Sequence, residues 1–374
     1  MLNRLDDIVL HIPVYCNHAD NPYVDVGCLL IFLHIEHKGG GRRFVTWGSN
    51  NDYPDYLLSL RSEVATLDSI VNGCIDYTVG NGVRMEGIGE EWSKKVNRYG
   101  ETAEDIVKKL ADDLATFGGF AIQVVRNNIG DVAELYHLDM RYVRRDVDKE
   151  VYYYSEDFGR NGRKYSGNLS VYPRFMMDGD APSSVYYYSN NFRKVYPSPI
   201  YEGAVKSCEI ERLTDDFHLN SIINGFAPSY LVNFNNGVPT DEMKEEIEKM
   251  FTEKFSGPAN AGRLMFSWNF DKETATTLDK LDITDYSDRY KSLVKHCRQK
   301  IFTSFRANPN LFGIPTEGTG FNSEEYEQAF KLFNRTVIRP MQKAIVKAFR
   351  DIFDVDCLVI DPFSMDDVDN DVRR

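Results

Sequence analysis

RANPNLFGIPTEGTGFNSEEYEQAFKLFNRTVIRPMQKAIVKAFRDIF, residues 306–353, joins a turn-rich segment to a long amphipathic helix. The segment NPNLFGIPTEGTGF is rich in Asn, Pro and Gly, residues that favour turns. The helix after it opens at Asn322 or Ser323, both good N-caps, and Glu325 lies three residues past Asn322 as a capping box requires. Phe330, Phe333, Val337, Met341, Ile345, Ala348 and Ile352 then follow steps of three and four, which is one helical face. Pro340 lies inside this run. A proline there removes a backbone donor and crowds the preceding turn, so the helix is expected to bend at Pro340.

Upstream, two helical patterns flank a compact insert. Residues 202–226 carry Val205, Cys208, Ile210, Leu213, Phe217, Leu219 and Ile223, and Pro228 closes that helix. Tyr230 to Phe234 reads as a strand, and Thr240 caps a charged helix over 241–255 with Met243, Ile247, Met250 and Phe251 inward. Gly257-Pro258 ends it. Leu264 to Trp268 is a second strand, and residues 272–281 a polar third. A longer helix begins at Asp285 or Ser287 and reaches Phe305, about 30 Å at 1.5 Å per residue.

Nearer the N-terminus, Leu57, Leu60, Val64, Leu67, Val71, Cys74 and Thr78 predict one amphipathic helix, ended by Gly80-Asn81-Gly82. Residues 101–117 form another, stopped by Gly118-Gly119. Phe120 to Val125 and Val132 to His137 then make a hairpin around Asn127-Asn128. VYYYSEDFGR (151–160) and VYYYSNNFRK (185–194) are near copies. They read as two strands covering one face of a small sheet and a subunit contact. His137 reads as a structural residue, and the pairs Asp112-Asp113 and Asp215-Asp216 as solvated helix faces.

Composition narrows the function. The 374 residues carry a formal net charge of −13, which argues against a protein that grips nucleic acid through a basic face. The same balance suits a conduit, where sticking to DNA would be a defect. No apolar run approaches the roughly 18 residues that a membrane helix needs. The acidic start, Met1 to Asp20, lacks the basic n-region of a signal peptide, so a soluble, cytosolic product is expected. Cys16, Cys28, Cys74, Cys208, Cys297 and Cys357 have no framework spacing and read as reduced thiols. Cys16, His18, Cys28, His34 and His37 are too loosely spaced for zinc. G-x-S-x-G, H-E-x-x-H and the phosphate loop are missing, so no catalytic residue, metal or cofactor is assigned.

The ordered series is more informative than any one motif in it. N-x-x-P at Asn51 leads to a helix and Gly80-Asn81-Gly82-Val83; LYHLDMRYVRRD (135–146) follows; then come helix, insert with GPANAGRLMF (257–266), helix, and N-P-x-L-F-G-I-P at Asn308. This series resembles the tailed-phage portal proteins over about residues 47–353. The first 45 residues and the short C-terminus depart from the family pattern.

The resemblance implies an α+β fold with named parts: an N-terminal extension (1–43), a helical and β wing (44–207), stem helix one (208–227) and an α/β clip (228–284). Stem helix two (285–308), a tunnel loop (309–321), a kinked long helix (322–353) and an acidic C-terminal tail (354–374) complete it. It also implies a ring, usually dodecameric, at one capsid vertex, through which double-stranded DNA is packaged and ejected without sequence-specific contact. Thr316, Glu317, Gly318, Thr319, Gly320 and Phe321 would line the DNA path. Arg289, Lys291, Lys295, Arg298 and Lys300 would form a basic stem face. Tyr230, Phe234, Arg263, Phe266 and Trp268 would meet the terminase large subunit. Major capsid or scaffold protein and a head-completion adaptor are the other implied partners, with no membrane. The implied location is the virion, reached from the bacterial host cytoplasm. The competing readings are a minor head or adaptor protein without a channel, and a metal-dependent nucleic-acid enzyme using the acidic pairs.

Overall fold

A computed structural model describes residues 44–49, 51–158, 169–223, 228–234, 237–255, 263–269, 271, 286–314 and 323–363, all within one compact unit, Leu33–Arg374. Expectations for 1–43, for 272–281, for the loop 316–321 and for the end of the acidic tail lie outside the described residues.

The core is built by helices. α1 (Tyr53–Glu63) and α2 (Ala65–Val79) pack with α4 (Ala103–Phe117), and α9 (Arg339–Phe353) covers α2 and α4; α3 (Glu91–Lys94) is a single turn. The single helix expected over residues 57–78 is two helices. Val64 breaks it with extended backbone (φ −114°, ψ 100°) while staying fully buried. Arg61 then reaches from α1 to both other helices: Nε donates to Asp68 at 3.1 Å, and Nη1 to Asp112 and, at 3.0 Å, to Thr116. α4 is held at its start by a full capping box between Thr102 and Asp105, and at its end by Gly118 in the left-handed region. Thr102→Ala removes that cap and is expected to cost about 1 kcal/mol; chemical denaturation against the parent measures it.

Among the described residues there are four small sheets, three of them in the body with these helices. β2 (Gly119–Arg126) is the centre of an antiparallel sheet between β3 (Val132–Leu138) and β7 (Ser183–Ser189). β4 (Val143–Arg145), β5 (Val151–Tyr154) and β6 (Ser170–Pro173) form a second. The two VYYY copies therefore lie in different sheets, β5 and β7, and meet through the stacked rings of Tyr152 and Tyr187, 5.2 Å apart. β-strand alternation explains the split: aromatic residues on successive positions serve two faces, and each copy buries one face against the other sheet. β1 (Gly82–Met85) pairs antiparallel with β10 (Leu358–Asp361), which ties the end of α2 to the end of α9. Trp47 is wholly buried, stacked on Tyr196 at 4.6 Å.

From this body the chain makes one long excursion. It leaves at Tyr201, runs through α5 (Val205–Ile223), β8 (Pro228–Phe234), α6 (Asp241–Phe255) and β9 (Arg263–Trp268), and returns along α7 (Tyr286–Phe305). Tyr201 and Phe305 stack at 5.2 Å where it leaves and re-enters, and the Tyr201 hydroxyl donates to Thr116 O at 3.0 Å. The strands β8 and β9 are parallel, so β8–α6–β9 is a crossover unit with its helix between paired strands. Among the described residues, no helix is long and apolar enough to cross a membrane.

Candidate functional site

Three adjoining pieces carry the described residues singled out by sequence: the α5–α7 pair, the crossover unit at its far end in sequence, and the helical run that follows at residues 323–353. α5 and α7 pack antiparallel, because their partners run in opposite order along the chain. Tyr201 meets Phe305, Glu211 meets Arg298, and Phe217 stacks on Tyr290 at 5.2 Å. Their buried seam is apolar at Cys208, Cys297, Ile301 and Phe305. Glu211 is the exception. Only 1% exposed, it accepts from Arg298 Nε at 3.0 Å and from Thr66 Oγ1 of α2 at 2.9 Å, so one buried carboxylate joins α2, α5 and α7. A buried charge persists only when paired in this way.

The five basic residues of α7 do not share one face. At 100° per residue, Lys291, Lys295 and Arg298 fall on one flank and positions 289 and 300 on another. Arg298 turns to Glu211, while Lys291, Lys295 and Lys300 are exposed.

In the crossover unit, β8 and β9 set Tyr230 beside Leu264, Val232 beside Phe266, and Phe234 beside Trp268; Pro228 pairs with Arg263. Phe234 and Trp268 stack face to face at 4.4 Å and remain half-buried. Met243 and Met250, expected to point inward from α6, are exposed. A two-stranded sheet is too narrow to cover both sides of a helix that reads apolar at steps of three and four, so part of that apolar stripe faces out.

Residues 306–314 lead out of α7. Pro309–Phe312 is a tight turn capped by Asn308, whose side chain accepts from Asn310 N at 3.0 Å. Phe312 packs between Phe302 and Phe333 and against Gly73 of α2, where a Cβ would come within 2.5 Å of its ring. Gly73 therefore makes the seat for Phe312, an unforeseen reason for both residues.

The helix beyond consists of α8 (Ser323–Phe333), a π-helical turn (Asn334–Ile338) and α9. Pro340 sits in the first turn of α9, directly after the π turn. A proline offers no N–H to the carbonyl four residues back, which is that of Thr336. Arg306 Nη1 donates to that oxygen at 3.4 Å instead. The extra residue of a π turn gives the proline ring its room. Around it opens a cleft of about 180 Å³, lined by Arg306, Thr336, Pro340 and Met341 with Leu114 and Tyr188 opposite.

The acidic pairs are not assembled into a metal site. Asp112 is paired with Arg61, whereas Asp113 is buried against His137 Nε2 at 2.7 Å. The reading of Asp112-Asp113 as a solvated face is thus corrected: successive helix positions point 100° apart, and Asp113 falls on the side covered by β3. Asp215 and Asp216 are exposed on α5. Among the described residues, no group of three or more His, Cys, Asp or Glu side chains could hold a metal ion.

Comparison with known proteins agrees with this architecture. The profile of the family described as phage portal protein matches residues 93–356. A probable portal protein of Haemophilus phage HP1 (strain HP1c1) is 21% identical over 251 residues, covering 64% of this chain and 67% of that one. Among solved structures, a chain of the virion of a native gene transfer agent particle superposes with a TM-score of 0.52 at 16% identity, over 83% of both chains. A chain from the neck of the native particle, computed with C12 symmetry, gives 0.52 at 18% identity over 82% of this chain and 84% of that one. At these identities the structural likeness is one of fold.

Proposed function

The chain belongs to the phage portal protein family, and on that premise we propose that copies of it close into a ring at one capsid vertex through which double-stranded DNA enters and leaves. The observation that carries this reading is the excursion itself: an antiparallel helix pair bearing a parallel crossover unit, within the span that the family profile matches. The C12 neck of the gene transfer agent particle, similar in fold, supports a dodecamer.

In this assignment α5 and α7 are the stem, and β8–α6–β9 belongs to the clip. The Phe234–Trp268 stack, with Tyr230, Arg263 and Phe266, offers the surface for the terminase large subunit and, after packaging, for a head-completion adaptor. Residues 316–321 are the tunnel loop, carried between the Phe312 anchor and α8. The small, polar character of residues 316–320 lets them follow a moving duplex without reading base edges. The part surrounding β2 and β5 faces capsid or scaffold protein. The assembled ring resides in the virion, after assembly in the host cytoplasm.

Negative-stain images of the purified chain test the reading. Rings with a central hole support it; particles without an axial hole would return the chain to the adaptor class. Replacing 316–321 by an equally long Gly-Ser segment is expected to leave ring formation intact and to reduce packaged DNA at least tenfold, measured by nuclease protection. Unchanged packaging would remove these residues from the DNA path.

A further inference from the structure

Residues 334–350, NRTVIRPMQKAIVKAFR, hold five bases and no acid in a chain whose net charge is −13. Arg335, Arg339, Lys343 and Lys347 follow at steps of four, and Arg350 three further on. Helical positions four apart stand about 6 Å from one another along the axis and within about 40° of one line. Met341, Ala344, Ile345 and Ala348, on the opposite side of α9, are buried where it covers α2 and α4. The five bases therefore point outward, and all are exposed. Lys347 and Arg350 share Asp351, and Arg350 also reaches Asp356. Among the described residues, Arg335, Arg339 and Lys343 have no hydrogen-bond or ion-pair partner for their side chains. Arg306, at the close of α7, brings a sixth exposed guanidinium beside them through its contact with Thr336 O. No large apolar side chain between 334 and 353 is exposed.

We propose that this stripe binds the phosphate backbone of duplex DNA, without reading its sequence. The inference deepens the ring reading above and rests on it for the identity of the polyanion. The surface itself separates DNA from a protein partner. Protein partners are held by a desolvated apolar centre with charges around it. This face has the charges and lacks the centre. A nucleic-acid backbone needs no apolar contact: affinity comes from neutralised phosphates, one for about every 3.4 Å of each strand along the axis. Five bases over about 22 Å of helix suit such a line of charge. The place in the chain agrees, since Arg335 follows Phe321 by 14 positions, on the helical run that leads away from residues 316–321. The acidic balance elsewhere confines contact to this one line. The bases of α7 serve the fold instead: Arg298 holds Glu211, and Lys291 and Lys295 also have partners within the chain.

Fluorescence anisotropy of a short labelled duplex of random sequence, titrated with the full chain across a salt series, tests this. The slope of log K against log salt counts neutralised phosphates, at about 0.9 for each on duplex DNA. Arg335→Ala, Arg339→Ala and Lys343→Ala together should make the slope shallower by about 2.7 for each bound chain, alike for every duplex sequence. Each single change should remove about 0.9, so the reading does not depend on the triple variant alone. Arg335→Lys with Arg339→Lys keeps the charge and should keep the parent's slope. Lys291→Ala, Lys295→Ala and Lys300→Ala remove the same charge from α7 and should leave the slope unchanged. Far-UV circular dichroism checks folding, which alanine at exposed helical positions should preserve. A folded triple variant with the parent's slope would overturn the assignment, as would a larger loss from the α7 variant or a parent that binds no duplex at low salt. So would a triple variant that keeps duplex binding but loses labelled poly-aspartate, which would give the stripe to an acidic polypeptide. Failure of the ring reading is separate, because images of the purified chain decide it whatever the slopes are.

Discussion

Gly80→Ala should unfold or nearly unfold the protein, with a loss above about 4 kcal/mol. Gly80 ends α2 at φ 67° and ψ −144°, a backbone region open almost only to glycine. The position is also filled: a Cβ there would lie 2.1 Å from Asp361 O and 3.2 Å from the carbonyl carbon behind it. Both atoms belong to backbone, which cannot swing aside as a side chain would. Asn81 N donates to that same oxygen at 2.9 Å, so yielding would open the β1–β10 ribbon. Gly87→Ala is the control. Gly87 also has positive φ, 79°, but nothing lies within 4 Å of its Cβ position. It should cost about 1 kcal/mol, the penalty of left-handed backbone alone. Equal losses for the two variants in urea titrations would show that the contact with Asp361 contributes nothing.

His137→Ala should cost about 3–5 kcal/mol at pH 8 and clearly less at pH 5, since it strands a buried carboxylate. Asp113 is completely buried, and burial lifts its carboxyl from 3.8 to about 6 despite the imidazole beside it. Burial acts the other way on His137, but Asp113 at 2.7 Å outweighs it and holds the imidazole above its ordinary 6.5. Both groups bind protons more tightly folded than unfolded, so both contributions are complete at low pH and decline as pH rises. For Asp113 the decline spans about pH 4 to 6; for His137 it begins above 6.5. In the alanine variant the carboxyl must either hold a proton at pH 8 or remain charged without a partner, and either costs stability. His137→Gln, which keeps a donor for Asp113 and does not titrate, should lose less and lack the parent's decline above pH 6.5. Thermal melts at pH 5 and 8 read all three; an alanine variant hurt more at pH 5 than at pH 8 contradicts the pairing.

Much of the architecture was legible because it follows from local periodicity and punctuation. The helices at 103–117, 241–255 and 286–305 and the hairpin of β2 and β3 sit where apolar spacing, glycine stops and Asn-Asn turns put them. Features that depend on distant partners were not legible. Val64 carries the helical rhythm unbroken, so nothing local announces the extended backbone at this fully buried residue. Asp113 and His137 are 24 residues apart with no motif linking them. Arg298 looks like one more stem base until Glu211 is found facing it. Pro340 was legible as a disturbance of the helix, but the π turn in front of it was not, nor was Arg306, 34 positions away, which donates to the carbonyl a proline leaves open.

The clasp of Tyr201 on Phe305 has an evolutionary consequence. Departure and return of the chain lie one ring-stack apart, and the stretch between them is also fastened to the body near that end, by Glu211 to Thr66 and by Arg212 to Glu63. Such a cassette can be lengthened, trimmed or exchanged for that of a relative while the ribbon of β1 and β10 keeps the rest of the subunit closed. Under the clip assignment proposed above, a chimera spliced between Tyr201 and Phe305 should inherit the docking preference of its donor.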